Sequence, residues 1–427
     1  MTLELLMAAI QSKNLKEVEY IYLLETSNNS NFTFDVTTNQ TTPLCLAASL
    51  DDRDTVNLLI SHGASVNYKV VDNGKAPLHF ACDKEEITTD NVEIVRELIA
   101  AGADINVQDD DGQAPIHFAC SRGNHDIIGC LLTKNVDLDV TDFNDETPLV
   151  RACHADDIAL MKKLINNGCL FDYPNNLPLR LCVRRGNIPA VKMLLEQGED
   201  INKGDYLSFA CQSSNLDMMD YLHSLGVDIN RCENSTIFKF TPLHVACLSR
   251  AVKYVVVDKL LSWGADVKLT SATGDTALHY AAQQLDIHKV KSLLQYGAPV
   301  NVVDDIEMTP LAAALTSIFD PDLMVCIIEL FSAVGCNMSE HLIECIKTQH
   351  ENRVEESNRI IVPLLQKLSK TPRSLKNLCR ITIRHNLGIQ FTKKLSYLPL
   401  PKLLIDFLNL DDVQVPDTTV VLKNKVV

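Results

Sequence analysis

The sequence predicts an all-α chain: a solenoid of about nine to ten helix-turn-helix repeats with hairpin fingers, followed by a small helical module. Three observations carry that expectation. A seven-residue segment recurs at a near-constant interval, most copies are followed by an amphipathic stretch closed by glycine, and the recurrence stops near residue 338, where a differently patterned region begins.

The recurring segment reads "TPLCLAA" from Thr42, "APLHFAC" from Ala76, "APIHFAC" from Ala114, "TPLVRAC" from Thr147 and "LPLRLCV" from Leu177. It continues as "DYLSFAC" from Asp205, "TPLHVAC" from Thr241, "TALHYAA" from Thr276 and "TPLAAAL" from Thr309. These nine anchors make eight steps over 267 residues, a mean near 33, and a period of that size marks a stack of supersecondary units. Threonine caps the first helix, and proline at the first helical position has no donor to lose. Second helices follow in "TVNLLISHGASVN", "VEIVRELIAAGADIN", "LMKKLINNGCLFD", "AVKMLLEQGEDIN", "MMDYLHSLGVDIN", "VVDKLLSWGADVK" and "HKVKSLLQYGAPVN", each ended by a glycine suited to a left-handed backbone. One such unit buries too little alone, so neighbours must share a core. Motif and period together resemble the ankyrin repeat, from about Leu3 to Met338.

Departures from the period locate loops. The step from Ala76 to Ala114 is 38 residues because "DKEEITTDN" lengthens the turn between helices, and "RCENSTIFKF" lengthens the finger before Thr241. The segment "LLMAAIQSKNLKEVEYIYLL" reads as a capping helix pair, giving an array over 1–338. Residues 339–371 read as a degenerate terminal repeat or helical connector.

Composition sets bounds on function. The chain has 427 residues, 46% apolar and 22% charged, enough to bury a large core. It opens without a basic leader or cleavage site and never runs eighteen apolar residues together, so the expectation is a soluble intracellular protein, cytoplasmic and with the nucleus open to it, without membrane contact. Its fourteen cysteines are dispersed, and Cys82, Cys120, Cys153, Cys211 and Cys247 follow an alanine at one place in the anchor, which reads as packing by reduced thiols. Residues 370–427 carry ten Lys or Arg against four Asp or Glu, so the other 369 hold a net charge of -22 within the total of -16. That sign argues against nucleic acid and leans toward a basic partner.

His79, His117, His244 and His279 share one slot of the anchor, so they lie about 10 Å apart in a stack and cannot converge on one ion. Imidazoles bonded to neighbouring backbone are the expectation. No phosphate loop, nucleophile elbow or paired zinc histidines occur. No catalytic residue, metal or cofactor is expected, and the chain reads as non-catalytic.

Beyond the array, Leu375, Leu378, Cys379 and Ile383 fall on one helical face. A helix of this kind could fold back on the last repeat, which leaves a non-ligase scaffold as the alternative. The order "SLKNLCRITIR", connector "HNLGIQFTKKLSY", then "LPLP" and "KLLIDFL" resembles the SOCS box over 372–410, and with the repeats the chain is similar to ankyrin repeat and SOCS box proteins. The resemblance implies a three-helix box, with Leu375, Leu378, Cys379 and Ile383 meeting elongin C alongside elongin B. It implies that Leu398, Pro399, Leu400 and Pro401 select Cullin-5 with its RING-finger subunit, so that a protein substrate on the repeats is ubiquitinated. Residues 411–427 lie outside the resemblance and nothing in their sequence explains them.

Repeats of this family bind proteins through fingers and first helices. That resemblance points to Gln108, Asp110, Asp111, Gln113, Ser121 and Arg122 in one repeat, and to Phe143, Asn144, Glu146 and His154 in the next. Phe143 stands out as an aromatic at an expected finger tip. Phe238 and Phe240, in the long finger before Thr241, offer the same kind of aromatic contact or, the favoured reading, tuck into the groove beneath.

Overall fold

The computed structural model describes residues 2–28, 35, 41–86, 88–171, 177–232, 238–316, 321–337 and 363–368. The described chain is helical, and its fingers are built from turns with one isolated bridge, Thr270 to Thr276, rather than from paired strands. Among the described residues no helix is long and apolar enough to cross a membrane. Two compact units divide the chain, the first holding 1–182 with 187–200 and the second 183–186 with 201–427.

The first unit begins with α1 (Thr2–Gln11) and α2 (Leu15–Asn28), packed as a pair. Repeats follow as α3 (Pro43–Ser49) with α4 (Arg53–Ser61), α5 (Pro77–Cys82) with α6 (Thr89–Ala100), α7 (Pro115–Arg122) with α8 (His125–Leu131), and α9 (Pro148–His154) with α10 (Ile158–Asn166). First helices pack on first helices, α3 on α5 on α7 on α9, and second on second, α4 on α6 on α8. After α11 (Leu177–Arg185) comes α12 (Ile188–Glu196). The second unit repeats the plan: α13 (Tyr206–Gln212), α14 (Leu216–Ser224), α15 (Pro242–Leu248), α16 (Tyr254–Trp263), α17 (Ala277–Gln283), α18 (Ile287–Gln295), α19 (Pro310–Leu315) and α20 (Pro321–Val334). There α13, α15, α17 and α19 form one layer and α16, α18 and α20 the other.

The anchor works as its residue types require. Thr42 accepts from the N–H of Cys45 at 3.1 Å and Thr309 from that of Ala312 at 3.2 Å, each followed by a proline in the first turn. The four histidines do bond to backbone. The N–H of Ala76 donates to His79 Nδ1 at 2.9 Å, which leaves the proton on Nε2 to reach the Gln113 carbonyl one repeat on, at 3.0 Å. His117 does the same between Ala114 and Glu146, and His279 between Thr276 and Met308. Burial pushes all of these imidazoles down in pKa, His244 to about 4. The anchor cysteines are buried, and burial raises Cys45 to about 11 and Cys247 to about 12.

The irregular anchor at Asp205 keeps the helix by another route. Tyr206 takes the place of proline, is fully buried, and lies so close to Gly204 that a Cβ there would meet its ring at 2.7 Å. Ser208 fills the histidine slot and its buried hydroxyl makes no hydrogen bond among the described residues. The lengthened turn between α5 and α6 is fixed by Lys84, whose buried amine donates to the Ser49 carbonyl and forms an ion pair with Asp51, 2.6 Å from Oδ1. In the second unit Lys289, fully buried, reaches the Ser249 carbonyl at 2.7 Å.

Candidate protein-recognition surface

Two neighbouring fingers are turns folded around a buried aspartate. In the first unit Asp109 accepts from the N–H groups of Asp111 (3.0 Å) and Gln113 (2.8 Å), and Asp142 accepts from those of Asn144 (2.8 Å) and Glu146 (3.0 Å). Burial works against the Asp142 carboxylate, but the Glu146 N–H and the Arg151 guanidinium outweigh it and hold its pKa below the ordinary range. Buried carboxylates of this kind shape the turn.

Neighbouring fingers are locked in register. The N–H of Asp110 donates to the Asn73 carbonyl and that of Phe143 to the Asp111 carbonyl, both at 3.0 Å. Below them runs a second ladder that sequence reading missed. The asparagine of the closing turn joins the next repeat: Asn67 Oδ1 accepts from Asp104 N–H at 2.7 Å, Asn106 Oδ1 from Asp137 at 2.8 Å, and in the second unit Asn230 Oδ1 from Asp266 at 2.9 Å. Its signal was the recurrence of Asn in "GASVN", "GADIN", "GEDIN", "GVDIN" and "GAPVN".

The anticipated contact residues separate into two groups. Gln108 is a strut, its amide donating to the carbonyls of Gly112 (2.7 Å) and Thr141 (3.1 Å). Arg122 reaches back to Asp83 at 2.9 Å and Glu85 at 2.8 Å. His154 lies 3.1 Å from Glu146, which also pairs with Arg151 at 3.1 Å. Gln113 is half-buried and supplies the carbonyl that His79 uses. Asp110, Asp111, Ser121, Phe143 and Asn144 are exposed. Phe143 is 77% exposed yet positioned, because its ring crosses Gly112, where a Cβ would meet it at 2.8 Å and φ is +76°. Val71, two fingers before, is 75% exposed.

In the second unit Phe240 is half-buried edge-on against Tyr280 at 5.4 Å, as expected. Phe238 instead stacks on the outer side of this pair, 5.4 Å from Phe240, and stays 53% exposed. Ile306, at another finger tip, is 78% exposed.

Away from the fingers, a groove of about 720 Å³ runs between α6 and α8, lined in part by Thr88, Arg96, His125, Gly129 and Cys130. Arg96 Nε lies 3.3 Å from Cys130 Sγ across it. A glycine inside a helical pattern, Gly129, was its only sequence signal. Among the described residues no three His, Cys, Asp or Glu converge as a metal site would need. Leu375, Leu378, Cys379, Ile383, Leu398, Pro399, Leu400 and Pro401 lie outside the described residues.

Comparison with known proteins bears on both parts of the chain. The model of ankyrin repeats matches 5–109, 87–175, 116–205, 179–271 and 248–322, and that of the SOCS box matches 371–409. The chain is 30% identical over 199 residues to Ankyrin repeat and SOCS box protein 5 of Oryctolagus cuniculus, covering 47% of this chain and 46% of that protein. It is 32% identical over 168 residues to the Homo sapiens protein of that name, covering 39% and 38%. A putative ankyrin repeat protein of fowlpox virus, FPV232, is 26% identical over 289 residues, 56% of each. The match thus spans less than half the length of the Ankyrin repeat and SOCS box protein 5 relatives.

Proposed function

The chain belongs to the ankyrin repeat and SOCS box family, and from that premise we propose that it is the substrate-recognition subunit of a cullin-RING ubiquitin ligase. The observation that carries the reading is the SOCS box match at 371–409, directly downstream of a repeat array that supplies interlocked, solvent-facing fingers. In this reading the array of 1–338 captures a protein, 339–371 connects, the box of 372–410 recruits the ligase, and 411–427 trails it.

Leu375 is the anchor of the box, entering a pocket of elongin C with Leu378 and Ile383 on the same face, while the small thiol of Cys379 allows close approach. Burying such a leucine contributes roughly 1.5–3 kcal/mol. Leu398, Pro399, Leu400 and Pro401 select Cullin-5 and its RING-finger subunit, since the prolines fix φ and reduce the ordering entropy lost on binding. Elongin B accompanies elongin C. A box of about forty residues has a small core for independent folding, which suits a module completed by its partners. The chain itself contributes no reacting group. It raises the effective concentration of a substrate lysine beside the charged conjugating enzyme.

The test is co-purification of elongins B and C with the full chain from a shared expression host. Leu375→Pro with Cys379→Phe should abolish it. Retention of the elongins by that double variant would overturn the assignment and leave a scaffold whose last helices pack on their own repeats.

A further inference from the structure

We infer that the finger row of the first unit, from Val71 to Asp145, takes an extended basic segment of the bound protein that carries an apolar residue over Phe143. The inference rests on the reading of the array as the recognition arm, and it names the chemistry of what the arm holds.

Charge decides the sign of the partner. Asp72, Asp110, Asp111 and Asp145 are exposed, and no cation lies within 4.0 Å of any of them among the described residues. Their nearest possible neutralisers are already used: Arg122 by Asp83 and Glu85, Arg151 by Asp142 and Glu146, and Lys75 by Asp83 and the Phe118 ring. Lys69 is the one cation at this edge outside those pairs, and its amine bonds the Gln108 carbonyl at 2.7 Å. Four carboxylates against one ammonium repel an anionic partner and attract a cationic one. These acids are distinct from Asp109 and Asp142, which are buried in the turns they organise.

Shape decides its form. The tips are held in series by the Asp110–Asn73 and Phe143–Asp111 backbone hydrogen bonds, so acids and apolar side chains alternate along a fixed line. Repeats stack at roughly 10 Å and an extended chain advances about 3.3 Å per residue, so about three residues separate successive tips. A lysine or arginine beside Asp110 and Asp111 then places a residue about three positions away over the open face of the Phe143 ring, and one about three positions the other way beside the exposed Val71.

The probe is a fluorescent nonapeptide with a short arginine run followed, after a glycine spacer, by leucine and tryptophan, titrated into the purified full chain by anisotropy. Binding that weakens with added salt is expected. Asp110→Asn with Asp111→Asn should weaken it roughly tenfold, Phe143→Ser by a similar factor, and the peptide with glutamates for arginines should not bind. Equal affinity across these variants, equal binding of the acidic peptide, or no binding at all would overturn the inference. If the first double variant lowers the melting midpoint, Asp72→Asn with Asp145→Asn carries the same test. Elongin co-purification is read on the same preparations. Its persistence when the peptide fails removes this inference alone, whereas its loss with peptide binding intact removes the ligase assignment.

Discussion

The first helices and the finger tips of the first unit are built from the same repeat, yet their polar groups meet opposite fates. Inside, His117 links the Ala114 N–H to the Glu146 carbonyl, and Ile116 and Cys120 beside it are fully buried. At the tips, two residues from the Gln113 carbonyl and three from that of Glu146, Asp111 and Phe143 face solvent, and the hydrogen bond that joins the two residues is between backbone groups. The lesson is that side chains repeating from unit to unit are occupied with their neighbours, while those that differ from tip to tip are left unengaged.

The largest way to break that contrast is to remove a strut. His117→Ala would leave the Ala114 N–H and the Glu146 carbonyl short of a buried partner, at about 1–3 kcal/mol for each unsatisfied group. A fall in the thermal midpoint of the full chain is expected, with amide exchange accelerating first in α7 and α9. A midpoint unchanged from the parent would show that the imidazole is dispensable.

Acid should act on every strut together. Each of these histidines is held neutral by burial, with its folded pKa below the usual value of 6.5 and that of His244 at about 4. Above pH 6.5 neither state takes a proton and the stability is intact. As pH falls from 6.5 toward 4 the unfolded chain protonates first, so stability drops across that window and levels off only below the folded pKa. A shift as large as that of His244 is worth on the order of 3 kcal/mol. Denaturation midpoints measured between pH 7 and 4.5 check this, and a flat profile would contradict it.

Much of this inner layer was legible in the sequence because it is local. Thr42 capping Cys45 and Ala76 meeting His79 are separated by three residues, and the repeat period then tells which carbonyl lies above. The engagement of Arg122, Gln108 and His154 was not. Arg122 meets Asp83 across 39 residues and only because the inserted turn "DKEEITTDN" brings Asp83 and Glu85 to that place. Tyr206 in the proline position was equally hidden, since its burial depends on the missing side chain of Gly204. The terminal box was legible as a pattern of Leu375, Cys379 and "LPLP", and its residue-level roles stay with the proposed assignment.

Smaller effects sharpen the contrast within the inner layer. Thr42→Ala removes a cap and should cost about 1 kcal/mol. Ser208→Ala, in the slot where other repeats carry histidine, removes a buried hydroxyl that makes no hydrogen bond among the described residues, so it should leave the midpoint unchanged or raise it slightly. A clear loss at Ser208 would mean that the hydroxyl is satisfied in solution and that the irregular repeat has its own strut.

The smallest expected effect falls at the tips and completes the comparison. Asp110→Asn with Asp111→Asn removes two charges that meet no cation among the described residues while keeping side-chain volume, and the backbone bonds that align the fingers are untouched. Surface changes of this kind stay within about 0.5 kcal/mol. Lessened repulsion among Asp72, Asp110, Asp111 and Asp145 would move the midpoint upward rather than down. Thermal melts at low and high salt separate the two contributions, because screening removes the repulsion and should bring parent and variant together. A substantial loss of stability would show that these carboxylates hold the fingers together, and the tips would then be structural in the same sense as the helices beneath them.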